Sequence, residues 1–149
     1  MKTTLERLCN LASAATDRAG RARDAAELIR TARGFHWVGL YDVTLTEIAA
    51  IGWTGADAPA FPRFPITRGL NGAAVASRQH VIVQDVTRDP RYLTTFGSTR
   101  AEAIFVVAAP TDGRIIGTID VESDRPNAFT PEDETFLRSC AEALVSLWS

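Results

Sequence analysis

The sequence has little of several features that mark particular classes of protein. The 16 Lys and Arg residues are balanced by 18 Asp and Glu residues, which gives a formal charge of −2. The basic residues are also dispersed along the chain and form no block. Nucleic acids and anionic membranes normally bind such blocks, so neither is expected as a partner. No apolar run approaches the ~18 residues of a membrane span, and the N-terminus MKTTLERLCN lacks the apolar core of a signal peptide. We therefore expect a cytoplasmic protein.

Cysteine is also scarce, with two residues in the chain. Cys9 and Cys140 lie far apart in segments of helical period, so we expect two buried free thiols and no disulfide framework. No cofactor and no metal are expected.

Apolar residues make up 46% of the 149 positions, which suits one domain spanning residues 1–149. A helical period runs from Thr3 to about Arg33, divided near Gly20, and a second helix runs from a Thr130 cap to about Trp148. A short helix is predicted from Gly69 to Ser77. Strands are predicted at His36–Val43, Glu47–Trp53, Val81–Val83, Ala103–Ala109 and Arg114–Val121.

The last two strands form a hairpin that we expect at the centre of the sheet. Ala103–Ala109 is apolar on both faces, and such a strand needs cover on each side. On the second strand, Asp120 and Glu122 are two residues apart, so their carboxyl groups share one face. Glu102 joins that face if the turn has an odd number of residues and faces away if the number is even.

Two irregular segments are candidate lids over a pocket. The first lid, Thr54–Arg68, contains Pro59, Pro62 and Pro65, and the second lid, Asp85–Thr99, has one helical turn predicted at Pro90–Leu93. The pocket between lids and sheet has four candidate lining residues outside the acids: Trp53, Asn71, Tyr92 and Phe96.

These elements predict an α+β fold with an antiparallel sheet of five or six strands, the terminal helices on one face and the lidded pocket on the other. The final helix has a wide apolar surface that includes Phe136, Leu144 and Trp148. Either the two terminal helices cover one another within one chain, or they form a homodimer with a second copy. Both alternatives stay open. The expected protein partner at these helices is a second copy of the chain, which would form a homodimer.

The chain resembles the GAF domains, small-molecule sensor modules related to PAS domains. The resemblance rests on HWVGLYDV, RGLNGAAVASRQHVIVQDV, GRIIGTIDVES and FTPEDETFLRSCAEAL, in this order. Within the family it is most similar to the free methionine-(R)-sulfoxide reductases. Their cysteine before the pocket helix corresponds to Asn71 here, a second corresponds to Thr95, and a third falls within Pro59–Pro65, which contains none. Sulfoxide reduction needs a thiolate and a resolving thiol, so the departures predict that this chain is not an enzyme and has no catalytic residue.

The same resemblance implies a ligand site. The reductases bind the ammonium group and polar end of their substrate with acids whose counterparts here are Glu102, Asp120 and Glu122. A cluster of carboxyl groups is easier to explain if a ligand cation completes it, although solvated acids on an exposed strand are the simpler alternative.

The resulting prediction is a non-catalytic GAF-type sensory domain that binds an amine-bearing, amino-acid-like small molecule and signals to a protein partner. Two alternatives remain. One is an interaction or dimerisation module whose pocket is filled by large aromatic side chains. The other is a reductase-like enzyme with altered chemistry, for which Thr94, Thr95 and Ser98 offer hydroxyl groups but no histidine can be placed beside them.

Overall fold

The computed structural model describes all 149 residues. It contains a six-stranded antiparallel sheet and four α-helices, which confirms the predicted α+β class. The helices are α1 (Thr4–Ser13), α2 (Arg18–Arg33), α3 (Gly69–Ser77) and α4 (Pro131–Ala143). The strands are β1 (Trp37–Val43), β2 (Glu47–Thr54), β3 (Arg63–Pro65), β4 (Val81–Val83), β5 (Ala101–Ala108) and β6 (Ile115–Ser123).

The strand order across the sheet is β3-β2-β1-β6-β5-β4. Strands β1 and β6 therefore form the centre, while β5 lies between β6 and the short edge strand β4. The predicted hairpin is β5–β6, so its second strand is central and its first strand lies one place from the edge. Seven of the eight residues of β5 are buried, as an apolar run covered on both faces requires.

Helices α1, α2 and α4 cover one face of the sheet and contain the larger apolar core. Small residues on α2, Ala22 and Ala26 among them, let this helix lie close to β2. The contact is so close that a Cβ on Gly52 of β2 would lie 2.6 Å from the backbone nitrogen of Arg23. Side chains of β1, β5 and β6 alternate, so every second residue of these strands enters this core.

The first helical segment is divided earlier than we predicted. Helix α1 ends at Ser13, and Gly20 lies in the first turn of α2, where its N–H donates to the side chain of Asp17 at 2.8 Å. The division therefore depends on Asp17 as an N-cap and not on Gly20 as a helix breaker. Gly34 ends α2 with φ of 69°, which glycine adopts without strain.

The final helix is shorter than predicted. Thr130 and Asp133 form a capping box at its start, and Asp133 also pairs with Arg33 of α2. Helix α4 ends at Ala143, and a 3₁₀ turn over Val145–Trp148 follows. Through that turn the indole N–H of Trp148 donates to the backbone oxygen of Tyr41 at 3.0 Å, which ties the C-terminus to β1.

Helix α3 and the two lids cover the other face of the sheet. Part of the first lid pairs with β2 as the short strand β3, which the prolines of this segment did not lead us to expect. The helical turn of the second lid is a 3₁₀ turn at Val86–Arg88, not at Pro90–Leu93. None of the four α-helices has the length and apolar character needed to cross a bilayer.

Candidate functional site

The three acids of the central hairpin meet on the face covered by the lids. Asp120 and Glu122 share this face of β6, while the alternate residues Ile119 and Val121 enter the helix-side core. Glu102 on β5 lies directly opposite Glu122 in the sheet. One carboxyl oxygen from each acid lies within 4.8 Å of the others, and the three residues are between 1% and 3% exposed.

A β-bulge decides that Glu102 joins the other two acids. Ala108 pairs with Ile115, which leaves a turn of six residues, and an even number alone would turn Glu102 to the opposite face. Between Val107 and Ala108 the register shifts, and Ile116 is the extra residue on β6. Past this bulge Glu102 pairs with Glu122, so all three carboxyl groups point into the pocket.

Few groups donate to the acids. The hydroxyl groups of Thr95 and Thr99 both donate to Oε1 of Glu122, the latter at 2.9 Å. The side-chain amide of Asn71 donates to Oδ2 of Asp120 at 3.4 Å. Oδ1 of Asp120 is buried and has no hydrogen-bond partner, which is unusual for a buried carboxyl oxygen.

Burial and mutual repulsion set the protonation of the cluster. Burial raises the pKa of Glu102 well above its usual range, and the charges of Asp120 and Glu122 raise it further. Burial also raises the pKa of Asp120 well above its usual range, with Glu122 as the next cause. Burial raises the pKa of Glu122 as well, although the hydrogen bonds from Thr95 and Thr99 oppose this. These shifts disfavour the ionised form of the cluster, and a bound cation would favour it.

The walls of the pocket are mostly apolar. Fourteen residues line it: Tyr41, Pro59, Ala60, Phe61, Phe64, Gly69, Leu70, Asn71, Leu93, Thr95, Phe96, Glu102, Asp120 and Glu122. No Lys, Arg or His is among them. The cavity that remains has a volume of about 20 Å³, which is room for roughly one water molecule.

Five of the seven predicted site residues line this cavity: Glu102, Asp120, Glu122, Asn71 and Phe96. Trp53 and Tyr92 do not. Trp53 packs against a cluster that contains Trp37 and Tyr41. The register shift in the β1–β2 pairing sets it opposite Gly39, so it shares the face of Tyr41 but lies outside the residues that line the cavity. Tyr92 packs beside α3, and its hydroxyl group contacts that of Thr95 at 3.2 Å.

Sequence reasoning missed several lining residues. Tyr41 lies two residues from Gly39, which pairs with Asp120, so alternation along β1 places it on the face of the acids once the pairing with β6 is known. Phe61 and Phe64 are apolar residues of the first lid, but no local pattern directs them toward the acids. Thr99 does not line the cavity, but its hydrogen bond to Glu122 was also missed, because that contact depends on the second lid folding back over the acid.

Both cysteines are away from the pocket. Cys9 is exposed on α1, and Cys140 is buried on α4 in the helix-side core, where burial raises the pKa of its thiol to about 12. The predicted burial of Cys9 is therefore wrong. The thiol of Cys140 is not a nucleophile at neutral pH.

Comparison with known proteins supports the resemblance. The model of the family described as GAF domain matches residues 17–146. The protein YtsP of Bacillus subtilis is 27% identical over 126 residues, which cover 85% of this chain and 76% of YtsP.

Two solved structures of enzymes have the same fold. The type II free methionine-R-sulfoxide reductase of Thermoplasma acidophilum has a TM-score of 0.80 and 29% identity, covering 88% of this chain and 94% of that chain. The free methionine-R-sulfoxide reductase of Neisseria meningitidis in complex with its substrate has a TM-score of 0.85 and 27% identity, covering 97% of this chain and 86% of that chain.

These comparisons overturn the prediction that this chain is not an enzyme. That prediction rested on the missing pocket cysteines, and the inference was too strong. A pocket without cysteine lacks a thiol of its own, but a thiol of another molecule can still attack a bound sulfoxide.

Proposed function

Because the chain belongs to the GAF domain family, we propose that its pocket binds a free amino acid of the methionine sulfoxide type and supports its reduction by an external thiol. Membership of the family supports a small-molecule-binding role, sensory or regulatory, in general. The more specific proposal draws on the similarity to the reductases and on the chemistry of the pocket.

One observation carries the proposal: three buried carboxyl groups converge in a pocket that has no basic side chain. A ligand ammonium group has three N–H donors and a positive charge, so it matches this arrangement. It would give Oδ1 of Asp120 the donor that the protein does not supply. The simpler alternative of solvated acids on an exposed strand does not apply, because these residues are buried.

The rest of the pocket suits the rest of such a ligand. Tyr41, Phe64 and Phe96 provide aromatic surface, against which a methyl group and sulfur pack favourably. The first residues of α3, Gly69 to Asn71, also border the cavity, and no side chain caps this helix. Their backbone N–H groups can receive the ligand carboxylate.

The reaction requires two thiols from outside the pocket. The first thiolate attacks the sulfoxide sulfur, the S–O bond breaks, and the oxygen leaves as water after taking up two protons. The second thiolate attacks the sulfur of the first, which forms a disulfide and releases the thioether. The sulfoxide is reduced by two electrons, and the two thiols are oxidised to one disulfide.

Access to the pocket requires the lids to move. The cavity of about 20 Å³ cannot hold an amino acid. Pro59–Phe61 of the first lid and Leu93–Phe96 of the second cover it, and none of these residues belongs to a helix or strand. Displacement of these short segments would open the pocket without disturbing the sheet.

The proposal is tested by incubating the protein with L-methionine-(R)-sulfoxide and dithiothreitol and measuring methionine by chromatography. We expect turnover above the protein-free rate, retained in Cys9→Ala and reduced at least tenfold in Glu122→Gln. Binding of the same sulfoxide is measured separately by calorimetry. Absence of both turnover and binding would refute the proposal, whereas binding without turnover would leave a sensor of the same ligand.

A second candidate is favoured by the small cavity. Four aromatic residues, Tyr41, Phe61, Phe64 and Phe96, line a cavity of only about 20 Å³, as expected for an interaction module that binds no small molecule. In that case a thermal-shift screen would find no amino acid, sulfoxide or amine that raises the melting temperature of the protein. A true ligand present at a hundred times its dissociation constant would stabilise the folded state by about 2.7 kcal/mol, which such a screen detects.

A further inference from the structure

We propose that the cluster of Glu102, Asp120 and Glu122 binds one hard divalent cation, close to Ca²⁺ in size, when the lids are closed. This inference goes beyond the proposed function. It concerns the same three acids but does not depend on their binding an amino acid.

The spacing of the carboxyl groups fits such an ion. One oxygen from each acid lies within 4.8 Å of the others. Oxygens bound to one Ca²⁺ ion lie about 2.3–2.6 Å from it, so any two of them are at most about 5.2 Å apart, and the three carboxyl oxygens satisfy this limit. Mg²⁺ usually keeps several bound waters, for which a cavity of about 20 Å³ leaves no room, so Ca²⁺ is preferred.

The hydrogen bonds around the acids leave oxygens free for the ion. Asn71 donates to Oδ2 of Asp120, while Oδ1 is buried and has no partner. Thr95 and Thr99 both donate to Oε1 of Glu122, so the other oxygen of that group is free. Donors that hold one oxygen of a carboxylate and leave the other to a metal are typical of metal sites.

The closed cavity has the size of an ion and not of an organic molecule. Its volume is about 20 Å³, enough for a single water-sized occupant. No Lys, Arg or His lines it, so the protein itself has no charge to offset the acids there. All ligands are oxygens, which excludes a preference for soft metals.

An ion at this place has a functional consequence. It would occupy the oxygens that a ligand ammonium group needs, so the ion and an amino acid would compete for the site. The apparent dissociation constant of the amino acid would then rise linearly with the concentration of the divalent cation.

The experiment uses full-length protein freed of metal with EDTA and then dialysed. Mn²⁺ is the spectroscopic probe, with binding followed by electron paramagnetic resonance and calorimetry, and Ca²⁺ and Mg²⁺ are added as competitors. We expect one Mn²⁺ per chain, displaced by Ca²⁺ at lower concentration than by Mg²⁺. Asp120→Asn and Glu122→Gln should each weaken binding at least tenfold, whereas Glu142→Gln on the exposed face of α4 should leave it unchanged.

Circular dichroism establishes that each variant is folded. Failure to bind any of the three ions at millimolar concentration, or binding that both pocket variants retain, would overturn the inference and indicate that the acids share protons. Amino-acid binding is measured in EDTA, so its failure is independent of the result with metal.

Discussion

At the scale of single residues, the side chain of Glu102 is buried in a pocket that contains no Lys, Arg or His to pair with its carboxyl group. It is 3% exposed and lies opposite Glu122 across the strand pair. A buried charge that is not paired costs free energy, which natural proteins accept at sites where a ligand later offsets it. Stability and binding are therefore expected to oppose one another at this position.

We predict that Glu102→Gln stabilises the ligand-free protein. The amide keeps the shape of the side chain and can donate to the neighbouring carboxylates. Because the pKa of Glu102 is raised in the folded protein, folding at pH 8 must either protonate this group or bury its charge, and Gln removes that cost. In urea unfolding at pH 8 with EDTA, the free energy of unfolding should rise by on the order of 1–2 kcal/mol. Glu142→Gln, which removes an exposed acid, should change it by less than about 0.5 kcal/mol. A loss of stability in Glu102→Gln would contradict the account.

His80 is expected to make stability depend on pH. Its Nδ1 accepts the N–H of Val106 at 3.0 Å, and its ring centre lies 4.5 Å from that of Phe105. Burial lowers the pKa of His80, and Arg138 of α4 lowers it further, while Glu134 and Glu142 oppose the shift. Because the folded protein favours the neutral ring, this contribution is complete above the unfolded pKa of ~6.5 and is lost as the pH falls through the lower folded pKa.

The corresponding measurement is the free energy of unfolding between pH 8 and pH 5. His80→Asn preserves an acceptor near the position of Nδ1 but cannot be protonated, so the free energy of unfolding of this variant should decline less steeply with acid than that of the parent. His36→Asn is the matched control, since His36 is exposed and accepts no backbone hydrogen bond. An identical decline in His80→Asn and the parent would show that His80 is not responsible.

At the scale of elements, the C-terminal turn packs closely against the sheet through Trp148. Trp148 packs over Gly117 of β6 so closely that a Cβ at that glycine would lie 2.2 Å from the indole ring. The indole N–H also binds the backbone of Tyr41. A side chain at position 117 must therefore displace Trp148.

We predict that Gly117→Ala lowers the free energy of unfolding by about 2–3 kcal/mol, through lost packing of the indole and a lost hydrogen bond. Tryptophan fluorescence should shift to longer wavelength at the same time, because the ring becomes exposed. Gly97→Ala is the control, since no atom lies within 4 Å of the added Cβ. Equal stability of the two variants would be inconsistent with the contact.

Patterns along single elements predicted most of the secondary structure, because caps and alternation are local. The N-cap of Asp17, the end of α2 at Gly34 and the strand β4 all depend on nearby residues. The length of α4 was wrong for a non-local reason. Its apolar pattern continues to Trp148, but the contact with β6 turns the last residues into a 3₁₀ helix.

At the scale of the whole molecule, helices α1 and α4 contact one another on the same face of the sheet. This arrangement matches the alternative in which the terminal helices cover each other within one chain. Phe136 and Val145 pack against the edge of the core and stay partly exposed. The homodimer through these helices remains a prediction, which sedimentation equilibrium can test.

The sequence by itself determined the α+β class and the shared orientation of Asp120 and Glu122, because both follow from period and order along the chain. Only the tertiary structure decided that Glu102 joins them, since a bulge at Ile116 reverses the orientation that the length of the turn implies. It alone also decided that Tyr41, and not Trp53, lines the pocket, and that the closed cavity has room for roughly one water molecule. These properties depend on how segments distant in sequence pack against one another, and no local pattern contains that information.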